Sequence, residues 1–262
     1  MKKLEYIFQE TSHKWAIITK DPERPDYIID TNEYLISSGE DVIILDPGGM
    51  EVFPPVFTAV SSEFNPEKIN HIFASHQDPD IISSLSLWME INPQIKCYIS
   101  WIWNTFVPHF GGKDDTFIPI PDTGMDIPLG DITLKAIPAH HLHSAGNFHL
   151  YDPVSKIYFS GDVGSALVNQ EEIFVQDFDS HIKHAELFHK RWMGSNRARV
   201  NWCERVSKMN IEILAPQHGA LYRGENVERF INWFAETEVG LLDTDLNYVD
   251  LENGEAESTP AE

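Results

Sequence analysis

The sequence predicts an α/β fold arranged as a four-layer αββα sandwich. Three observations predict it. The chain shows two successive blocks in which strand-like runs precede helix-like runs, its 262 residues suit one large domain, and its 42% apolar content can fill a proper core. Two sheets packed face to face with helices outside explain the repeated order better than a strictly alternating doubly wound sheet. No sequence repeat underlies that order, and a single domain is expected over residues 1–250.

In the first block, β segments are expected at Trp15 to Thr19, Tyr34 to Ser37 and Val42 to Leu45. The last is a continuous apolar run of the buried-strand type, closed by Asp46-Pro47-Gly48-Gly49, which is turn punctuation. A helix follows at Phe53 to Phe64, a strand at His71 to Ala74, and a second helix from about Pro79 to Ile91 with Ile81, Leu85 and Met89 on one face. The second block places strands near Ile132 to Ile137, Phe148 to Tyr151 and Ile157 to Phe159. Helical stretches then run across about 180 to 209, followed by a strand at Ile211 to Leu214 and a helix at about Val227 to Thr237. Residues 251–262 are small, polar and acidic, the composition of a disordered tail.

Charge narrows the partners. With 41 acidic against 19 basic residues the formal net charge is −22, a field that repels phosphate backbones and anionic lipid surfaces. Nucleic acid is excluded as an expected partner, and so is a membrane, since apolar runs such as Val42 to Leu45 fall far below the roughly 18 residues of a span. Glu5, Gln9 and Glu10 interrupt any leader-like stretch at the N-terminus. Cys97 and Cys203 are the only cysteines, too few for a disulfide framework, so a reducing, cytoplasmic setting is expected. The acidic surplus mostly serves solubility.

The chemistry sits where strands end. The strand ending at Ala74 runs into Ser75-His76-Gln77-Asp78-Pro79-Asp80-Ile81, an imidazole and two carboxylates within five residues. Ile137 runs into Pro-Ala-His140-His141-Leu-His143-Ser-Ala-Gly-Asn, Phe159 into Ser160-Gly161-Asp162, and Leu214 into Ala-Pro-Gln-His218-Gly-Ala. Each piece alone has an ordinary reading. Asp78-Pro79 starts a helix with Asp as cap, Ser-Gly-Asp makes a turn, and His143 or His218 is a partly buried, hydrogen-bonded histidine. Four successive strand ends offering ligands point instead to a metal site, because loops held by a rigid sheet are where binding groups sit. Trp101, Trp103 and Phe106, near helical spacing, read as core or pocket wall, and His181, His184 and His189 as the solvated face of a surface helix.

The order His-x-Asp-x-Asp, His-Ser-x-Gly, Ser-Gly-Asp and Gln-His-Gly resembles the metallo-β-lactamase superfamily over about residues 25 to 240. Within it, the chain resembles the metal domain of flavodiiron proteins, and most of all the oxygen-binding di-iron proteins that lack a flavodoxin domain. The resemblance implies that His76, Asp78, His143 and Asp162 hold one metal, and that Asp80, Asp162 and His218 hold a second, with Asp162 bridging. Ile81 falls where the pattern has a final histidine, which leaves the second metal three protein ligands and opens a position for solvent or dioxygen. His140 or His141 is the alternative replacement. The Asp46 match is read as structural, holding its loop.

A mixed imidazole and carboxylate set with an open position suits non-haem iron better than zinc. Two divalent ions bring four positive charges against three carboxylates, so an anionic bridge is favoured. Two ferrous ions supply two electrons, enough to take dioxygen to the peroxide level and not to water. No FMN is expected in this chain, because nothing after about residue 240 reads as a flavin domain. The expected function is therefore a non-haem two-iron protein that binds dioxygen as a sensor or carrier. A dioxygen or nitric oxide reductase served by an external electron-transfer partner is the alternative, and a zinc hydrolase the third reading. Zinc or manganese would enter on overexpression. A signalling or electron-transfer protein is the expected kind of partner, with self-association left open.

Overall fold

A computed structural model describes residues 2–18, 21, 30–111, 115–167 and 172–240; the tail expected over 251–262 lies outside them. The first sheet takes its seven strands in chain order: β1 (Leu4–Gln9), β2 (His13–Ile18), β3 (Glu33–Ser38), β4 (Asp41–Leu45), β5 (His71–Phe73), β6 (Lys96–Ser100) and β7 (Phe117–Ile120). It is antiparallel from β1 to β4 and parallel from β4 to β7. The second sheet runs in the order β13 (Tyr222–Arg223), β12 (Ile213–Pro216), β11 (Ile157–Gly161), β10 (Phe148–Asp152), β9 (Ile132–Pro138) and β8 (Met125–Leu129). Only its β11–β12 pair is parallel.

Period-two alternation sorts the side chains into layers. In β2, Trp15 and Ile17 enter the core between the sheets while Ala16 and Ile18 face outward; in β4, Ile43 and Leu45 go inward while Val42 and Ile44 go outward. In the second sheet Ile157 and Phe159 of β11 face the first sheet, and Tyr158 faces away. Helices α1 (Phe53–Ser61), α2 (Pro79–Ile82) and α3 (Leu85–Ile91) cover the outer face of the first sheet with Val56, Val60, Ile81, Leu85 and Trp88. Helices α4 (Phe178–Trp192), α5 (Asn196–Val206) and α6 (Glu225–Glu236) cover the second with Phe178, Phe188, Trp202, Phe230 and Phe234. Three apolar layers between four structural layers make the αββα sandwich.

Several boundaries differ from the sequence expectation, each for a local reason. The helix expected over Pro79 to Ile91 breaks at Ser83 and Ser84, because the Ser84 backbone N–H and Oγ both donate to the Gly48 carbonyl, at 3.3 and 2.6 Å. The helical stretch over 180 to 209 is two helices, the second restarted by Ser195, whose Oγ accepts from the Ala198 N–H. Trp101, Trp103 and Phe106 lie in turns rather than a helix; Trp101 and Phe106 are exposed, and only Trp103 packs on the core. His181 and His189 are buried instead of solvated, while His184 is exposed as expected. Five strands went unpredicted: β1, β6, β7, β8 and the two-residue β13.

The sheets are also pinned by polar contacts. Asp152 of β10 accepts from Trp15 Nε1 at 2.7 Å and pairs with His13 Nε2 at 2.6 Å. At the end that carries the ligand-rich loops, Tyr34 Oη donates to the Pro216 carbonyl at 2.7 Å and the Phe148 N–H to the Ser75 carbonyl at 2.9 Å. Among the described residues no helix is long and apolar enough to cross a membrane. Cys97 and Cys203 are buried and unpaired.

Candidate metal centre

Each ligand-rich loop leaves a strand whose sheet position is fixed. His76 follows β5, Asp78 and Asp80 flank the start of α2, His143 lies in the loop from β9 to β10, Asp162 follows β11, and His218 follows β12. Gly161 makes the turn before Asp162 at φ +50°, a left-handed conformation open to glycine, and its Cα faces Ser75. Asp78 occupies the capping position of α2 but makes no capping hydrogen bond, so its carboxylate is not spent on the helix.

The freed carboxylate turns inward. Asp78 Oδ2 lies 3.7 Å from His76 Nε2 and 3.3 Å from His143 Nε2. Asp162 Oδ2 lies 3.2 Å from His76 Nε2 and 2.8 Å from His143 Nε2. The other oxygen of Asp162, Oδ1, points elsewhere, to His218 Nε2 at 3.4 Å, and His218 Nε2 is also 3.4 Å from Asp80 Oδ2. One carboxylate thus serves two donor groups: His76, Asp78 and His143 on one side, Asp80 and His218 on the other. The first three, with Asp162, lie within 4.8 Å of one another; Asp80 and His218 are not part of that group. The second side is more open, since the Asp80 side chain is 42% exposed.

Supporting contacts set the imidazole orientations. Ser75 Oγ donates to Asp46 Oδ2 at 2.6 Å, leaving its oxygen to accept from His76 Nδ1 at 2.9 Å. The Ser75 N–H donates to Asp46 Oδ1 at 2.7 Å. Asp46 reaches this position at φ +43°, which aspartate tolerates, and it holds the loop as expected from sequence. His218 Nδ1 donates to the Asp30 carbonyl at 2.8 Å. Both histidines therefore present Nε2 to the cluster, as metal-binding imidazoles do when the other nitrogen is engaged. The Asp30 segment is in turn tied down by buried Lys2, whose Nζ meets Asp30 Oδ1 and Glu33 Oε2, each at 2.9 Å.

Charges are strongly coupled here. Burial alone would lower the three imidazole pKa values, but the facing carboxylates of Asp162, with Asp78 or Asp80, dominate: His76 and His218 are raised to about 10 and His143 to about 9. Against the penalty of burial, the same histidines hold Asp78 and Asp162 well below the carboxylate range. Burial raises Asp46 to about 7.

Of the neighbouring residues considered from sequence, Ile81 is fully buried in the outer apolar layer. His140 Nε2 donates to the Asp122 carbonyl at 3.0 Å and His141 is exposed; neither belongs to the grouped donors. Sequence reasoning missed Ser75, Asn147, Gln77 and Gln217. Gln77 Nε2 donates to Asp78 Oδ1 at 3.0 Å while its Oε1 accepts from Ser144 Oγ at 2.6 Å. Their places beside the ligand motifs were the available signal. Lys2 carried none, being remote in sequence from every motif.

The profile of the ODP family beta lactamase matches residues 29–219. The chain belongs to that family. The apo state of the chemotaxis sensor ODP from T. denticola is 38% identical, with a TM-score of 0.84, covering 93% of this chain and 98% of that one. A structure described as the peroxy diiron species of chemotaxis sensor ODP matches at 38% identity with a TM-score of 0.83. A flavo di-iron protein from Thermotoga maritima shares the fold at 20% identity and TM-score 0.77, over 90% of this chain and 61% of its own. Among curated proteins, an uncharacterized protein of Methanocaldococcus jannaschii is 27% identical, and diflavin flavoprotein A 1 of Synechocystis 24%, each over 77% of this chain. The chain spans 52% and 36% of those two.

The donor set of this ODP family chain fits a bound metal by its own chemistry. His76 Nε2, His143 Nε2 and Asp162 Oδ1 are buried and, among the described residues, accept or donate no aligned hydrogen bond. A buried polar atom left so costs about 1–3 kcal/mol. Metal–ligand bonds of about 2.0–2.2 Å bring neighbouring donors to about 3 Å apart, and the observed separations run from 2.8 to 3.7 Å.

Proposed function

We propose that this chain is an oxygen-binding sensor with two non-haem irons, one held by His76, Asp78, His143 and Asp162 and the other by Asp80, Asp162 and His218. The observation that carries the reading is the division of Asp162, whose two oxygens face two separate donor groups. Likeness to the chemotaxis sensor ODP over nearly the whole chain supports the same role here. Three imidazoles and three carboxylates form the nitrogen and oxygen set that suits iron. When bound, two ferrous irons supply two electrons and a place for dioxygen.

The residues do the rest. Asp162 ties the two groups together, and the Asp46–Ser75 pair fixes the ring of His76. The Asp30 carbonyl fixes that of His218. Ile81, buried in the outer apolar layer, offers no ligand to the second metal. A small diatomic reaches the cluster from the side of Asp80, the more exposed of the carboxylates.

Anaerobic purification followed by metal analysis and an oxygen titration tests the proposal. The expected result is about two irons per chain and a persistent change in the visible spectrum on air. Continuous oxygen consumption with an added flavin reductase would move the function to a reductase. A colourless protein with zinc alone that hydrolyses ester or lactam bonds would overturn it.

A further inference from the structure

The segment 138–141, which leads from β9 toward His143, lines a cavity of about 290 Å³ together with residues of α5 from its capping Ser195 to Arg205 in its last turn. Its character runs against the rest of the molecule. The chain carries 41 acidic residues against 19 basic, yet no carboxylate lines this cavity, while Arg197, Arg205, His140 and His141 all do. Among the described residues, Arg197 makes no ion pair. Arg205 spends one N–H on the Pro138 carbonyl, at 2.9 Å, and meets no carboxylate. His140 gives Nε2 to the Asp122 carbonyl, and its buried Nδ1 has no hydrogen-bond partner. Ser195 and Asn201 add neutral polar groups to the lining.

We propose that this cavity binds a phosphate group, either free phosphate or a small phosphomonoester. Guanidinium forks match tetrahedral oxyanions and hold them with charge-assisted hydrogen bonds. The volume lies at the small end of ligand pockets, so the organic part is compact. A ligand held there rests against the backbone that leads into His143, which places a second small molecule beside the loop carrying a candidate metal ligand.

Calorimetric titration of the full chain with inorganic phosphate and, separately, phenyl phosphate, at ionic strength held with sodium chloride, tests the site. At least one should bind saturably with a dissociation constant of about 1 mM or below. Arg197→Glu, a change on the surface, should weaken that binding about tenfold or more, whereas Arg223→Glu, at a guanidinium laid over Phe174, should not. Tighter binding of phenyl phosphate assigns a phosphomonoester and tighter binding of inorganic phosphate assigns the free ion. Absence of saturable heat with both probes, or an Arg197→Glu chain that binds as the unaltered one does, overturns the proposal.

Discussion

Asp46 touches none of the grouped donors, yet it accepts two hydrogen bonds from Ser75, and Ser75 in turn accepts from His76. Asp46→Ala should therefore leave a buried N–H and hydroxyl unpaired, costing about 1–3 kcal/mol in denaturant unfolding. Loosening His76 should also weaken metal binding about 10–100-fold. A competition titration with a chromogenic chelator measures the second effect. The imidazoles carry a pH signature as well. His76, His143 and His218 titrate in the folded, metal-free chain near 10, 9 and 10, above their ordinary 6.5. Their contribution to stability is present below pH 6.5 and is lost as pH rises through 9–10. Asp78 and Asp162, held low, contribute above about pH 4 and lose that contribution as pH falls toward their folded values. Thermal melts of the metal-free chain from pH 6 to 10 should thus show a steady decline. Metal uptake displaces imidazole protons, so apparent affinity should rise over the same range; affinity independent of pH would contradict the coupling.

At the scale of elements, the strand ends were legible because ligand residues cluster with turn residues just after apolar runs, as in Phe73 to His76 and Phe159 to Asp162. The five missed strands were not, because they are short or irregular in apolar content: β7 carries Pro119, β8 carries Pro128 and β13 has only two residues. His189 looked solvated because its helix is rich in charge, but its ring lies among Phe230, Trp233 and Phe234, and burial lowers its pKa to about 4. Lys2 was invisible for a different reason: its value comes from pairing with Asp30 and Glu33, about thirty residues away. Lys2 and Glu33 side chains are wholly buried, so Lys2→Met strands a buried carboxylate. The expected loss is about 3–5 kcal/mol, read by denaturant unfolding. Because Asp30 also receives His218 Nδ1, iron on the Asp80–His218 side should be lost first.

At the scale of the whole molecule, the sandwich brings four chain-distant loops to one end of two sheets, and cross-sheet bonds such as Tyr34 to Pro216 hold that end closed. The cluster concentrates carboxylates in a chain already at −22, so cations should stabilise the fold by linkage. At saturation a thousandfold above the dissociation constant this is worth about 4 kcal/mol, or roughly 10 °C in a chain of this size. Verified removal of metal should lower the melting temperature by that order, and an unchanged melt would refute the linkage.

The division of Asp162 between two donor groups is most directly tested by anomalous diffraction at the iron edge, on crystals grown without oxygen. Two peaks should flank the Asp162 carboxylate, one beside His76, Asp78 and His143 and the other beside Asp80 and His218. A single peak, or peaks away from Asp162, would contradict the account.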